Sequence, residues 1–136
     1  MTVRWANEND TIRIIRAIQN KKMDWNTSAN VREDIKNHNL IVAEDNGKLL
    51  GSVALKYKPH RGYYSFLRMC IYSKKSTGKG VASALIDFAL ALGYKCYGGT
   101  PWNDNPAMIH IFEKRGFKYQ YTFKEKYNFY KKVIDN

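Results

Sequence analysis

Acidic residues are scarce in this chain. Its 136 residues hold 12 Asp and Glu against 23 Lys and Arg, a net charge of +11. A balance that basic sets up a field that attracts anions. Cysteine is scarcer still: Cys70 and Cys96 are the only two, and both lie in apolar, strand-like segments. They form no CxxC pair and no Cys/His cluster, so they read as buried thiols and no metal site is expected. There are three prolines, and no repeat, low-complexity tract or linker. No apolar run approaches the ~20 residues that a membrane helix needs, so no membrane partner is expected. The opening residues from Met1 to Glu8 lack the apolar core of a signal peptide, which points to the cytoplasm.

What is present suits a packed core. Hydrophobic residues make up 44% of the chain and aromatic ones 14%. Residues 1–136 therefore read as a single domain. Thr2 to Trp5 alternates as a first strand. Asp10 or Thr11 can cap a helix carrying Ile12, Ile15, Ala17 and Ile18. Asn30 to Asn37 reads as a second helix. Leu40 to Glu44 and Leu49 to Tyr57 form a hairpin, with Asn46-Gly47 supplying a type I′ turn. Tyr63 to Tyr72 is a long apolar strand, and a buried helix follows over 80–93. Tyr94 to Thr100 reads as a strand weakened by Gly98-Gly99. A helix over 105–115 precedes a closing hairpin of Phe117 to Phe123 and Tyr127 to Val133.

Two segments carry chemistry. The first is Lys75-Ser76-Thr77-Gly78-Lys79-Gly80, between the long strand and the buried helix. The first turn of a helix offers unpaired N–H groups and a partial positive charge. Glycines let the backbone approach an anion, and lysines add charge. The spacing fits neither the P-loop nor the dinucleotide fingerprint. The second segment runs from Asn105 to Phe117. Asn105 suits the N-cap, Pro106 the first helical position and Gly116 the left-handed C′ position.

Together they resemble the Gcn5-related N-acetyltransferase family. The family's acyl-CoA loop, Arg/Gln-x-x-Gly-x-Gly/Ala, is matched by Lys75, Gly78 and Gly80, with Lys for Arg/Gln. Ile71 stands at the apolar position seven before the first glycine. The later helix, Asn-x-x-Ala-x-x-x-Tyr-x-x-x-Gly-Phe, is matched at Asn105, Gly116 and Phe117; Met108 replaces Ala and Phe112 replaces Tyr. Ile41 to Ala54 looks like the strand-turn-strand that precedes the cofactor strand. The resemblance spans roughly residues 40 to 123. It implies an α/β (α+β) fold in the order β-αα-β-β-β-α-β-α-β-β, with a mixed central sheet of about seven strands flanked by helices.

The resemblance also implies a reaction and a cofactor. The enzyme would be an acyl-CoA N-acyltransferase that carries acetyl from acetyl-CoA to a primary amine of a small molecule or protein. The amine would attack directly in a ternary complex. The pantetheine arm would pair beside Met69, Cys70 and Ile71, and a backbone N–H of Cys70 or Ile71 would polarise the thioester. The pyrophosphate would sit on Ser76, Thr77, Gly78, Gly80, Val81 and Ala82, with charge from Lys75 and Lys79. Asn105 and Phe112 complete the implied cofactor set.

Phe112 has no hydroxyl, so the family's thiolate-protonating Tyr is missing. Residues 63–72 hold no carboxylate, which leaves Glu44, His60, Tyr64 and Asp104 as candidate bases; Asp104 is favoured. Trp25, Trp102, His60, Arg61 and the aromatic C-terminal hairpin are candidates for an acceptor groove. Aromatic residues interleaved with Lys118, Lys124, Lys126 and Lys131 also suit stacked bases and phosphates. Two alternatives therefore stand beside the first reading: an acceptor amine carried on tRNA or DNA, and a non-catalytic domain that binds CoA or nucleic acid. The chain is expected to act as a monomer or a homodimer.

Overall fold

The computed structural model describes residues 1–19, 28–72 and 80–134. Among them lie seven strands and four helices. In chain order these are β1 (Thr2–Trp5), α1 (Thr11–Gln19), α2 (Ser28–Lys36), β2 (Leu40–Asp45), β3 (Lys48–Lys58), β4 (Tyr63–Ile71), α3 (Val81–Ala91), β5 (Cys96–Gly99), α4 (Pro106–Lys114), β6 (Lys118–Phe123) and β7 (Tyr127–Val133). The strands form one sheet in the order β1-β2-β3-β4-β5-β7-β6. β4 and β5 run parallel, whereas β1/β2, β2/β3, β5/β7 and β6/β7 are antiparallel. The expected order and mixed sheet are both present. The chain groups into two compact units, Met1–Leu55 with Arg68–Ala91, and Lys56–Leu67 with Leu92–Asn136.

In the first unit, α1 buries Thr11, Ile14, Ile15 and Ile18. That is the i, i+3, i+4, i+7 stripe of a helix packed on one face. Ile12, expected on the stripe, is about half exposed because it falls on the outward side of the first turn. A short 3-10 turn, Glu8–Asp10, precedes α1, and Asn7 is the N-cap of that turn. Asn7 Oδ1 accepts from the Asn9 amide at 2.9 Å, and the Asn7 amide donates to Asp10 Oδ2 at 2.8 Å.

Asp10 is almost fully buried and is also the hub of an ion cluster. Arg4 donates to it at 2.7 and 2.9 Å, and Arg13 at 3.0 Å. The Arg4 hydrogen bonds hold the Asp10 carboxyl at about 2, below its ordinary 3.8. A carboxyl so depressed stabilises the fold above pH ~4, and that contribution is lost as pH falls through about 2. The expected loss between those limits is about 2 kcal/mol. Urea unfolding measured from pH 5 to 2 checks this: Asp10→Asn should be less stable at pH 5 and should flatten the acid limb. An unchanged acid limb would contradict the assignment.

The second unit is built on rings. Tyr97 is fully buried, and Phe112, Phe117, Phe129 and Tyr130 are nearly so. Its two strand glycines are slots for aromatic groups. A Cβ at Gly98 would lie 2.6 Å from the Tyr63 ring, and one at Gly99 would lie 2.5 Å from Phe112 Cζ. Glycine lowers strand propensity, but here a ring fills the space where a side chain would stand. Hairpin turns differ in legibility. Asn46 and Gly47 have φ of 51° and 79°, as type I′ requires. The β6–β7 loop places Lys124 and Glu125 at φ of 51° and 60°, residues that carry no turn signal.

Candidate functional site

β4 is an apolar strand with one irregular residue. Arg68, in its middle, has φ of 54°. A left-handed residue with a Cβ costs about 1–2 kcal/mol, so its surroundings must hold it there. Arg68 Nη2 donates to Asp34 Oδ2 on α2. Asp34 is 3% exposed. Gly51 of β3 also comes close to this strand. A Cβ at Gly51 would stand 2.8 Å from the Cys70 carbonyl oxygen, 3.0 Å from Val81 Cγ1 and 3.2 Å from Ile71 Cδ1. The strand end is tied by the Tyr72 amide, which donates to the Leu50 carbonyl at 2.9 Å.

Past the strand, Gly80 has φ of 76° and opens α3. The Ala84 amide donates to the Gly80 carbonyl at 2.9 Å. The amides ahead of Ala84, those of Val81 and Ala82 among them, are first-turn donors without a partner inside the helix. Val81 itself is buried and anchors this end of α3. Met69, Cys70, Ile71, Gly80, Val81 and Ala82 therefore belong to one unit. Lys75, Ser76, Thr77, Gly78 and Lys79 lie outside the described residues, as does Trp25.

Polar strain gathers on the same strands. Among the described residues Arg68 Nε on β4 is buried without a hydrogen-bond partner, and the buried Tyr72 hydroxyl just after the strand interacts with Ser52 on β3. Burial pushes the Tyr72 hydroxyl well above its ordinary pKa of 10. Cys70 is buried and free of any disulfide, as is the half-buried Cys96.

Asp104, Asn105 and Phe112 belong to the second unit. Asp104 is exposed on the turn before α4. Asn105 is the N-cap of α4, its Oδ1 accepting from the Met108 amide at 3.2 Å. Pro106 is the first helical residue, and Gly116, at φ of 84°, ends the helix. The Phe117 amide closes on the Phe112 carbonyl at 3.1 Å, a Schellman arrangement. Phe112 is 3% exposed and packs into the core. Its ring centroid lies 4.9 Å from Phe117 and 5.9 Å from Phe66. β5 pairs with β4 at Tyr64↔Tyr97 and Ser65↔Gly98.

The candidate bases separate on these facts. Glu44 accepts from Arg4 at 3.1 and 3.3 Å. That bond lowers its pKa and makes it a poor base. Tyr64 stacks on Tyr94 with ring centroids 3.7 Å apart, and desolvation raises its hydroxyl, so it stays protonated. His60 and Asp104 are the exposed candidates left, and His110 is exposed on α4. In the hairpin, Phe129 and Tyr130 are core, whereas Tyr119 and Tyr121 are exposed. Trp102 is exposed as well, with Lys126 Nζ 5.7 Å from its ring centroid.

Sequence reasoning missed Arg68 and Asp34. The signal available was a lone arginine in an apolar strand without a carboxylate to pair it. The partner sits 34 residues upstream, beyond the reach of local spacing.

The model of the acetyltransferase (GNAT) family matches residues 5–117. The fold is similar to a GNAT-family acetyltransferase from Bacillus cereus at a TM-score of 0.83 and 13% identity, covering 99% of this chain and 98% of that one. It is similar to Ard1 from Thermoplasma volcanium at a TM-score of 0.79 and 20% identity, covering 99% and 98%. A mutant spermidine N-acetyltransferase from Vibrio cholerae gives a TM-score of 0.72 at 20% identity, covering 98% and 95%. No curated protein sequence matches.

Proposed function

Because the chain belongs to the acetyltransferase (GNAT) family, we propose that it transfers the acetyl group of acetyl-CoA to a primary amine of a small molecule or protein. The amine attacks directly, in a ternary complex. The observation that carries this reading is that the Met69–Ile71 end of β4, the left-handed Gly80 and the first turn of α3 lie in one unit. When bound, acetyl-CoA supplies the acetyl group as a thioester, together with a diphosphate by which it is held. The fit rests on the first-turn amides, the left-handed Gly80 and the close approach that Gly51 permits.

Met69, Cys70 and Ile71 offer backbone groups to the pantetheine arm. The amides of Cys70 and Ile71 are fixed dipoles for the thioester oxygen, and such preorganised donors lower the barrier to acyl transfer. Gly80, Val81 and Ala82 present donors to the diphosphate, joined by Ser76, Thr77, Gly78 and the charges of Lys75 and Lys79. Asn105 and Phe112 join this set on the family resemblance alone. Asp104, an exposed carboxylate, takes the amine proton. Phe112 gives no proton, so the departing thiolate is protonated from solvent or a tyrosine. The rest of the catalytic effect is alignment.

One neighbour is a spermidine N-acetyltransferase, which supports amines as the acceptor class. The match over residues 5–117 and the near-complete coverage by neighbours support one catalytic domain over residues 1–136. No described helix is long and apolar enough to cross a membrane. Cytoplasmic residence and a monomer or homodimer remain part of the proposal. A second reading, an amine carried on tRNA or DNA, is favoured by the net charge and the exposed Tyr119, Tyr121 and Trp102. Binding to polynucleotide that falls steeply with salt would select it.

Two measurements test the first reading. Release of free thiol from acetyl-CoA should depend on added amine; release indifferent to amine would exclude transfer. Lys75→Ala with Lys79→Ala should weaken CoA binding about tenfold, the loss of two charge-assisted contacts. Unchanged binding would remove the diphosphate from this loop.

A further inference from the structure

The irregular residue of β4 is gripped by a part-buried ion pair to α2. Arg68 holds φ of 54° inside a strand whose next residues are Met69, Cys70 and Ile71. Its guanidinium donates to Asp34, which α2 carries at 3% exposure, while its Nε is buried without a partner. A guanidinium bonded at one end and orphaned at the other is a poor stabiliser of a fold. What it does fix is where the Arg68 backbone sits. Gly51 of β3 comes close to the same strand, against the Cys70 carbonyl.

We infer that Asp34 and Arg68 are positioning residues: their ion pair locks the left-handed turn of β4 and so aims the Met69–Ile71 backbone at the acyl-pantetheine arm. This rests on the cofactor reading above. Neither side chain touches the reacting atoms in this account. Arg68 acts through its own φ, and Asp34 acts through Arg68.

The distinctive consequence is that glycine should replace the pair. Glycine adopts positive φ without strain, whereas alanine does not. Arg68→Gly alone would leave Asp34 buried without its partner, so the test compares two double variants. Asp34→Ala/Arg68→Gly and Asp34→Ala/Arg68→Ala both lack the ion pair and differ only in their tolerance of positive φ.

The readout is calorimetric binding of two probes, acetyl-CoA and adenosine 3′-phosphate 5′-diphosphate. The second is the nucleotide half of CoA without the arm. The glycine double should bind acetyl-CoA within about threefold of the parent, and the alanine double about tenfold or more weakly. Both should bind the nucleotide probe within about twofold of the parent, because the diphosphate site is untouched. Two double variants that bind acetyl-CoA alike would overturn the inference. So would a parallel loss of both probes, which is the mark of general destabilisation. Failure of the parent protein to bind either probe would instead overturn the cofactor reading itself.

Discussion

Phe112→Ala is expected to lower the stability of the protein by about 3–5 kcal/mol, the usual cost of deleting a buried phenyl ring. Phe112 is 3% exposed, and its ring meets Phe117 edge-on at 4.9 Å and stacks parallel to Tyr130 at 6.4 Å. Its Cζ occupies the space a side chain at residue 99 would need. Gly99→Ala in the parent should therefore cost about 1–3 kcal/mol by overpacking. In the Phe112→Ala background the same change meets a cavity, not a ring. The two effects should fall short of additivity by about 1 kcal/mol or more, as expected for residues in contact. Urea unfolding of the four proteins measures this. Strict additivity would mean that the ring and the glycine are independent.

The second large effect is expected at Gly51. Gly51→Ala puts a methyl group 2.8 Å from the backbone oxygen of Cys70. A flexible side chain yields to such a contact, but a strand backbone yields only by moving. The expected stability loss is about 1–3 kcal/mol. The functional loss is more diagnostic. If Met69 to Ile71 hold the acyl arm, shifting Cys70 should weaken acetyl-CoA binding about tenfold. Asp10→Asn is the control, since it destabilises the same unit through an ion cluster on a different element. It should leave the affinity for acetyl-CoA within about twofold. Equal losses from the two variants would detach Gly51 from the site.

The order of elements was legible because its signals are local. Asn46-Gly47 marks its turn, and Asn105, Pro106 and Gly116 mark both ends of α4; the structure uses each in that role. Of the expected anion loop, Gly80 is the described glycine, and it adopts positive φ at the start of α3. What escaped is non-local or conformational. The 3-10 turn ahead of α1, capped by Asn7, had no signal in the apolar periodicity. The Lys124-Glu125 turn adopts positive φ with no glycine to announce it. Gly98-Gly99 look like weak strand residues until the Tyr63 and Phe112 rings are placed beside them. The Arg68–Asp34 pair spans 34 residues, and the strain at Arg68 is invisible in its residue type. Among the candidate bases, Glu44 lost its standing only once Arg4 was seen to hold it.

The central claim is that this chain binds acetyl-CoA through β4 and the start of α3. Calorimetric titration of the purified protein with acetyl-CoA, at low and at moderate salt, tests it most directly. The account predicts saturable one-site binding that survives moderate salt, because backbone amides and the acyl-arm pairing are screened far less than surface lysines. The absence of binding at both salt concentrations would contradict it.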